Sequence, residues 1–144
     1  WPYRKDGAHH WFAHSVLPRY ANKTGAMWAI TKKDEPEQLI GVIDIREDTG
    51  DGNRGFWMSE SEQGHGYMTE AVAVVNDWVF TKTRLRELVV YNVVSNTASR
   101  RVKEKTGCVY IRTVIQDYHS GEQSSEMWRL TRESWLQSKE DTTG

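Results

Sequence analysis

Residues 63–78 read QGHGYMTEAVAVVNDW, two glycines set directly against the start of an apolar helical pattern. Met68, Ala71, Val72, Val75, Trp78 and Val79 recur at the spacing of one helix face. At a helix start the first backbone N–H groups have no partner inside the helix, and the positive end of its dipole points outward. Gly64 and Gly66 would let an anion approach those groups closely, and Thr69 adds a hydroxyl. Glycines at a turn also serve as a plain loop, so the surroundings have to decide. The spacing fits neither Gly-x-x-x-x-Gly-Lys-Ser/Thr nor Gly-x-Gly-x-x-Gly behind a first strand.

Outward from the loop, the pattern changes on both sides. Residues 54–59 (RGFWMS) predict a strand entering the loop. Residues 39–45 (LIGVIDI) predict another, joined to it by the turn stretch EDTGDGN at 47–53. With residues 26–32 (AMWAITK) they make an antiparallel meander. Beyond the helix, residues 85–94 (LRELVVYNVV) are apolar on both faces in their middle, the mark of a central strand. Residues 96–106 predict a second helix, capped by Ser95 or Asn96 and ended by Gly107, where a positive φ is usual. Strands at 109–118 and 127–131 follow, joined by the turn HSGEQ, and a front helix is expected over 6–17 with Pro18 near its end. The chain reads as a single domain over 1–136 with a flexible tail at 137–144. The fold class is α+β (mixed α/β): one mostly antiparallel sheet of about six strands with flanking helices and a parallel step.

The 144 residues suit one domain with its own core. Nineteen basic against 20 acidic side chains give a net charge of −1, which argues against a nucleic-acid backbone as the main partner. No apolar run is long enough to span a membrane and no leader pattern opens the chain, so a cytoplasmic protein is the simplest reading. The single cysteine, Cys108, lies between Gly107 and Val109 and reads as a small buried hydrophobe. Among seven tryptophans and six tyrosines, Trp11, Trp28, Trp57 and Tyr118 are candidates for a groove or the core.

Gln63-Gly64-His65-Gly66-Tyr67-Met68 resembles the acyl-CoA pyrophosphate loop of the GNAT superfamily of N-acetyltransferases, Gln/Arg-x-x-Gly-x-Gly/Ala, with Met68 at the small-residue position. The longer string Gly64 to Ala71, G-x-G-Y-x-T-E-A, resembles the branch that includes ribosomal-protein N-terminal acetyltransferases. VVYNVVSNTASRRVKEKTG at 89–107 is similar to that branch's fifth strand and following helix, with Asn96, Ser99, Val102 and Gly107 in place. WPYRKDGAHHWF at 1–12 is similar to the Trp-Pro segment that opens the family's second helix. The likeness spans nearly the whole chain.

The resemblance implies acetyl transfer from acetyl-CoA to a primary amine, on a small molecule or a peptide N-terminus, by direct attack in a ternary complex. It implies that the family's fourth and fifth strands splay, with the pantetheine arm between them. By position, Gln63, Gly64, His65, Gly66, Tyr67, Met68 and Thr69 hold the pyrophosphate, and Val89 and Val90 offer strand backbone to pantetheine. Asn96 bonds the same arm or simply caps its helix; Arg100 or Arg101 meets the nucleotide phosphate or lies on a solvated face. Lys103 stands where many members carry a tyrosine acid. Ser99 resembles the serine used instead and is the expected acid, against an i−4 backbone bond or a cap. Asp117 is the expected base, with Glu126 and Asp44 behind it.

The second reading is an acyl-CoA-binding module with little or no activity, suggested by Lys103 and by the absence of the family's first strand and helix ahead of Trp1. That front end predicts a truncated chain, or a homo-oligomer covering the edge strand at 26–32. His9, His10, His14, His65 and His119 lack metal-ligand spacing, so no metal is expected, and no Gly-x-Ser-x-Gly elbow is present.

Overall fold

Three successive strands pair as the meander that the sequence predicts: β1 (Gly25–Ile30), β2 (Gly41–Arg46) and β3 (Arg54–Met58) form one antiparallel sheet in that order. The computed structural model describes residues 6–118 and 120–143; the Trp1-Pro2 pair and His119 lie outside them. β2 shows why it forms: Ile43 and Ile45 are buried on one face, while Val42, Asp44 and Arg46 are half-buried on the other. A second antiparallel sheet has β4 (Glu87–Val93) and β5 (Val109–Tyr118) on either side of β6 (Gly121–Thr131). β6 starts well before the residue 127 expected, because its polar first half, GEQSSE, pairs with β5 through the tip of a long hairpin.

The two sheets meet at Asn53. Its N–H donates to the Val89 carbonyl at 3.1 Å, and the Val89 N–H donates to its side-chain oxygen at 2.9 Å. Its amide group also donates to the Glu87 carbonyl at 3.2 Å. Asn53 is 3% exposed, so these bonds are sheltered from water. Beyond this point no strand ladder joins β3 to β4 among the described residues, and the expected single sheet is two three-stranded sheets diverging from a hinge. This is the splay the resemblance implied.

Helix α3 (Tyr67–Lys82) buries Met68, Val72, Val75 and Val79, the predicted face, together with Phe80. They join Ile40, Ile43, Ile45, Leu88, Val90, Trp128 and Leu130 in one core that spans both sheets. Helix α4 (Thr97–Lys105) is capped by Asn96, whose side chain accepts from the Ser99 N–H at 3.0 Å, and ends at Gly107 with φ of 84°.

Two expectations at the ends are corrected. The front helix does not stop near Pro18: α1 (Gly7–Trp11) runs through a π-helical turn at Phe12–Val16 into α2 (Leu17–Asn22). The Leu17 N–H reaches back five residues to the Phe12 carbonyl, and this wide turn comes just ahead of Pro18, which has no N–H to continue the ladder. The polar C-terminal residues are not a tail but helix α5 (Arg132–Thr143). Thr131 caps it by accepting from the Ser134 N–H at 3.1 Å. Trp135 packs against Phe80 and donates to Asp77 at 2.8 Å, and Lys139 reaches the same carboxylate, so α3 anchors a helix that is otherwise hydrophilic.

Candidate active site

The glycine loop leads into α3 through Gly66, its N-cap, at φ of 84°, with Gly64 at 81°. A side chain is strained at either position, and a Cβ built there meets nothing within 4 Å, so the loop presents bare backbone to open space. Gln63 holds its entry by donating to the Met58 carbonyl at 3.2 Å. A cavity of about 470 Å³ lies against this loop. Gln63, Gly64, Gly66, Tyr67, Met68 and Thr69 form one wall, and Arg101, Val102 and Lys105 of α4 face them. Bare N–H groups on one side and two cations on the other fit a pyrophosphate, and the one carboxylate in the lining, Glu62, is paired with Lys32 at 3.3 Å. His65 does not line the cavity; its ring stacks on Tyr67 with centroids 5.6 Å apart. Met68 is buried at 6% exposure and is mainly core.

A second cavity of about 850 Å³ fills the opening between β3 and β4 and shares Phe56, Asn96 and Ser99 with the first. Its walls come from Arg54, Gly55 and Phe56, from Val90 to Val93, and from Gln116, Tyr118 and Gln123 of the β5–β6 hairpin. The Tyr118 hydroxyl is held 2.8 Å from the Ser125 Oγ. One route therefore runs from the glycine loop, past Ser99, into a space between the sheets.

The backbone that faces this opening differs from the expectation. Both Val89 main-chain groups are taken by Asn53, and Val90 turns its own toward Trp128 of β6 in the alternating ladder. By the same alternation Tyr91 and Val93 direct backbone toward the gap. Val90 contributes its side chain to the floor of the cavity, as core does.

Charges are sorted around α4. Arg100 donates through Nε to Glu126 at 3.0 Å and pairs with it again through Nη2, so this arginine faces β6, not the phosphate loop; Arg101 lines the loop cavity. Burial acts to raise the Glu126 carboxyl, but hydrogen bonds from Asn92 and Arg100 and the Arg100 charge outweigh it and hold the carboxyl below the usual carboxylate range. Lys103 is 1% exposed and donates to the Ser99 Oγ at 2.6 Å. Burial pushes its ammonium down to about 7, helped by Arg54 and opposed by Cys108 and Glu126.

The three carboxylates considered as a base separate clearly. Asp117 is exposed, and strand alternation turns Gln116 and Tyr118 into the cavity in its place. Glu126 is fully engaged. Asp44 sits behind Gly55 and Arg46, both of which line the cavity, and burial raises its carboxyl against the lowering charges of Arg46 and Arg19. Sequence reasoning also passed over Lys105, Phe56 and the hairpin residues Gln116 and Gln123. The helical spacing of Arg101 and Lys105 could have found the cationic wall; the hairpin has no motif.

The two cavities join at Phe56, Asn96 and Ser99 into one cleft that runs from the glycine loop to the gap between the diverging strands. The chain belongs to the acetyltransferase (GNAT) domain family, whose profile matches residues 1–109. Among solved structures, ribosomal-protein-S5-alanine acetyltransferase from Vibrio fischeri is 18% identical, with a TM-score of 0.78 over 94% of this chain and 80% of that one. Spermidine N-acetyltransferase from Vibrio cholerae, in complex with CoA and spermine, is 15% identical, with a TM-score of 0.74 over 94% and 80%. Identity at this level speaks for the fold. Among curated proteins no sequence matches.

Proposed function

We propose that the protein is an acetyl-CoA-dependent N-acetyltransferase whose acceptor is a primary amine, on a small molecule or a peptide or protein N-terminus. The observation that carries this is the continuous route from the bare-backbone glycine loop, past Ser99, into the gap that opens beyond Asn53. In this reading the N–H groups of Gly64, Gly66, Tyr67, Met68 and Thr69, with Arg101 and Lys105, bind the pyrophosphate. Tyr91 and Val93 pair with the amides of the pantetheine arm as an added strand would, and Asn96 meets that arm while capping α4. Ser99, at the junction of the two cavities, protonates the leaving thiolate. Asp44 is the carboxylate best suited to take the proton of the attacking amine through water. A homo-oligomer covering β1, the edge strand of the first sheet, belongs to the same proposal and is read by light scattering.

Titration with acetyl-CoA by calorimetry, with a Gly66→Val variant beside the parent, tests the reading. Binding in the parent, weakened at least about 10-fold in a variant that keeps its circular dichroism, is the expected result. Equal binding in both would remove the loop from the site. The reading as a binding module without catalysis finds support in the exposed position of Asp117. Thiol release in the presence of an amine separates the two.

A further inference from the structure

Lys103 is a buried cation with no carboxylate in ion-pair contact among the described residues. Glu126, whose charge acts on it, is already held by Asn92 and Arg100. An apolar side chain would be the more stable occupant of such a place. Instead the Lys103 Nζ lies 5.4 Å from the centroid of the Phe56 ring and donates at 2.6 Å to the Ser99 Oγ, where the two cavities join. Residues four apart share one face of a helix, so α4 builds this pair by itself. Because the lysine donates, the Ser99 O–H is directed elsewhere, and the open side is the cleft.

We propose that Lys103 is a positioning residue for Ser99: its Nζ fixes the Ser99 hydroxyl at the thioester and replaces the proton that this hydroxyl passes to the leaving sulfur. The proposal rests on the acetyl-transfer reading above. In the step, the acceptor nitrogen bonds to the acetyl carbon and the C–S bond breaks. The departing sulfur takes the Ser99 Oγ proton, and Oγ takes one from the Lys103 ammonium, which becomes neutral. The surplus proton of the new amide leaves to water, and Lys103 regains one from solvent. One amine and one thioester thus give one amide and one thiol. The groups that set this proton are Arg54 from β3, Glu126 from β6 and the Cys108 thiol ahead of β5; with burial they bring the ammonium to about 7, within reach of exchange near neutral pH. The replacement of the family's tyrosine, which the sequence offers as a sign of inactivity, becomes a second way of supplying the same proton.

The test follows enzyme-dependent thiol release from acetyl-CoA, with hydroxylamine as acceptor, across pH. It compares the parent with Lys103→Met, Lys103→Arg and Ser99→Ala, and acetyl-CoA binding by calorimetry is measured on each. The parent rate should fall as pH rises through about 7, where Lys103 loses its proton. Lys103→Met should lose that limb and about 100-fold in kcat, with acetyl-CoA binding unchanged. Lys103→Arg, which holds the hydroxyl but does not surrender a proton, should be similarly slow. The double variant with Ser99→Ala should be no slower than either single one. A Lys103→Met protein with the parent kcat and the parent falling limb overturns the proposal, and so does acetyl-CoA binding without thiol release. Absence of binding in the parent overturns the acetyl-CoA reading itself.

Discussion

A buried amine such as Lys103 is expensive to keep charged, and the cost has a pH signature. Its pKa in the fold, about 7, lies below the ordinary 10.5, so between these values the unfolded chain binds more protons than the folded one. Stability therefore rises with pH through that window and carries its full penalty below it. Lys103→Met should be more stable than the parent by about 2 kcal/mol near pH 6, with the difference shrinking toward pH 10, in urea unfolding at each pH. A constant difference would mean that the amine keeps its proton in the fold up to its ordinary range. Asn53 is the other residue on which the site depends. Asn53→Ala removes the bonds to the Val89 N–H and the Glu87 carbonyl and leaves the buried Val89 N–H unpaired. It should lower stability by about 2 kcal/mol and raise the KM for acetyl-CoA, because the angle between β3 and β4 loses its fixed point. Unchanged stability together with an unchanged KM would show that backbone pairing alone sets the hinge.

At the scale of elements, α5 shows how a helix can stand on two side chains. Trp135 reaches Phe80 and Asp77, and Lys139 adds a second bond to Asp77. Trp135→Ala should cost about 2 kcal/mol and release the helix, seen as a loss of helical signal together with cleavage after residue 131 by a protease. A variant that keeps the full helical signal would place the anchor elsewhere. The same element explains what the sequence could not say. SKEDTTG is too polar for a periodicity argument, and the tryptophan that fixes it lies ahead of it in the chain and meets partners on α3, about 58 residues away. By contrast α3, the strands of the meander, and α4 with its Asn96 cap and Gly107 stop were legible, because apolar period and turn chemistry are local signals. The glycine loop was legible as a motif. The pairing of Arg100 with Glu126 was not, since nothing in a helix sequence tells which of two adjacent arginines turns toward a strand from a distant part of the chain.

At the scale of the molecule, one core ties both sheets together on the α3 side, and the gap between β3 and β4 opens beyond Asn53. Burial is continuous through that core, and the opening lies where, among the described residues, no strand of the first sheet pairs with β4. On β4, then, Tyr91 and the Val93 N–H are open toward the gap, while Val89 is closed by Asn53 and the Val93 carbonyl by the Asn96 N–H. Amide hydrogen exchange, read residue by residue with and without saturating CoA, tests it most directly. The Tyr91 and Val93 amides, with those of residues 64–69, should slow on binding, while the Val89 amide, already bonded to Asn53 at 2.9 Å, should not change. Binding that leaves Tyr91 and Val93 exchanging as before, or that protects Val89 instead, would contradict it.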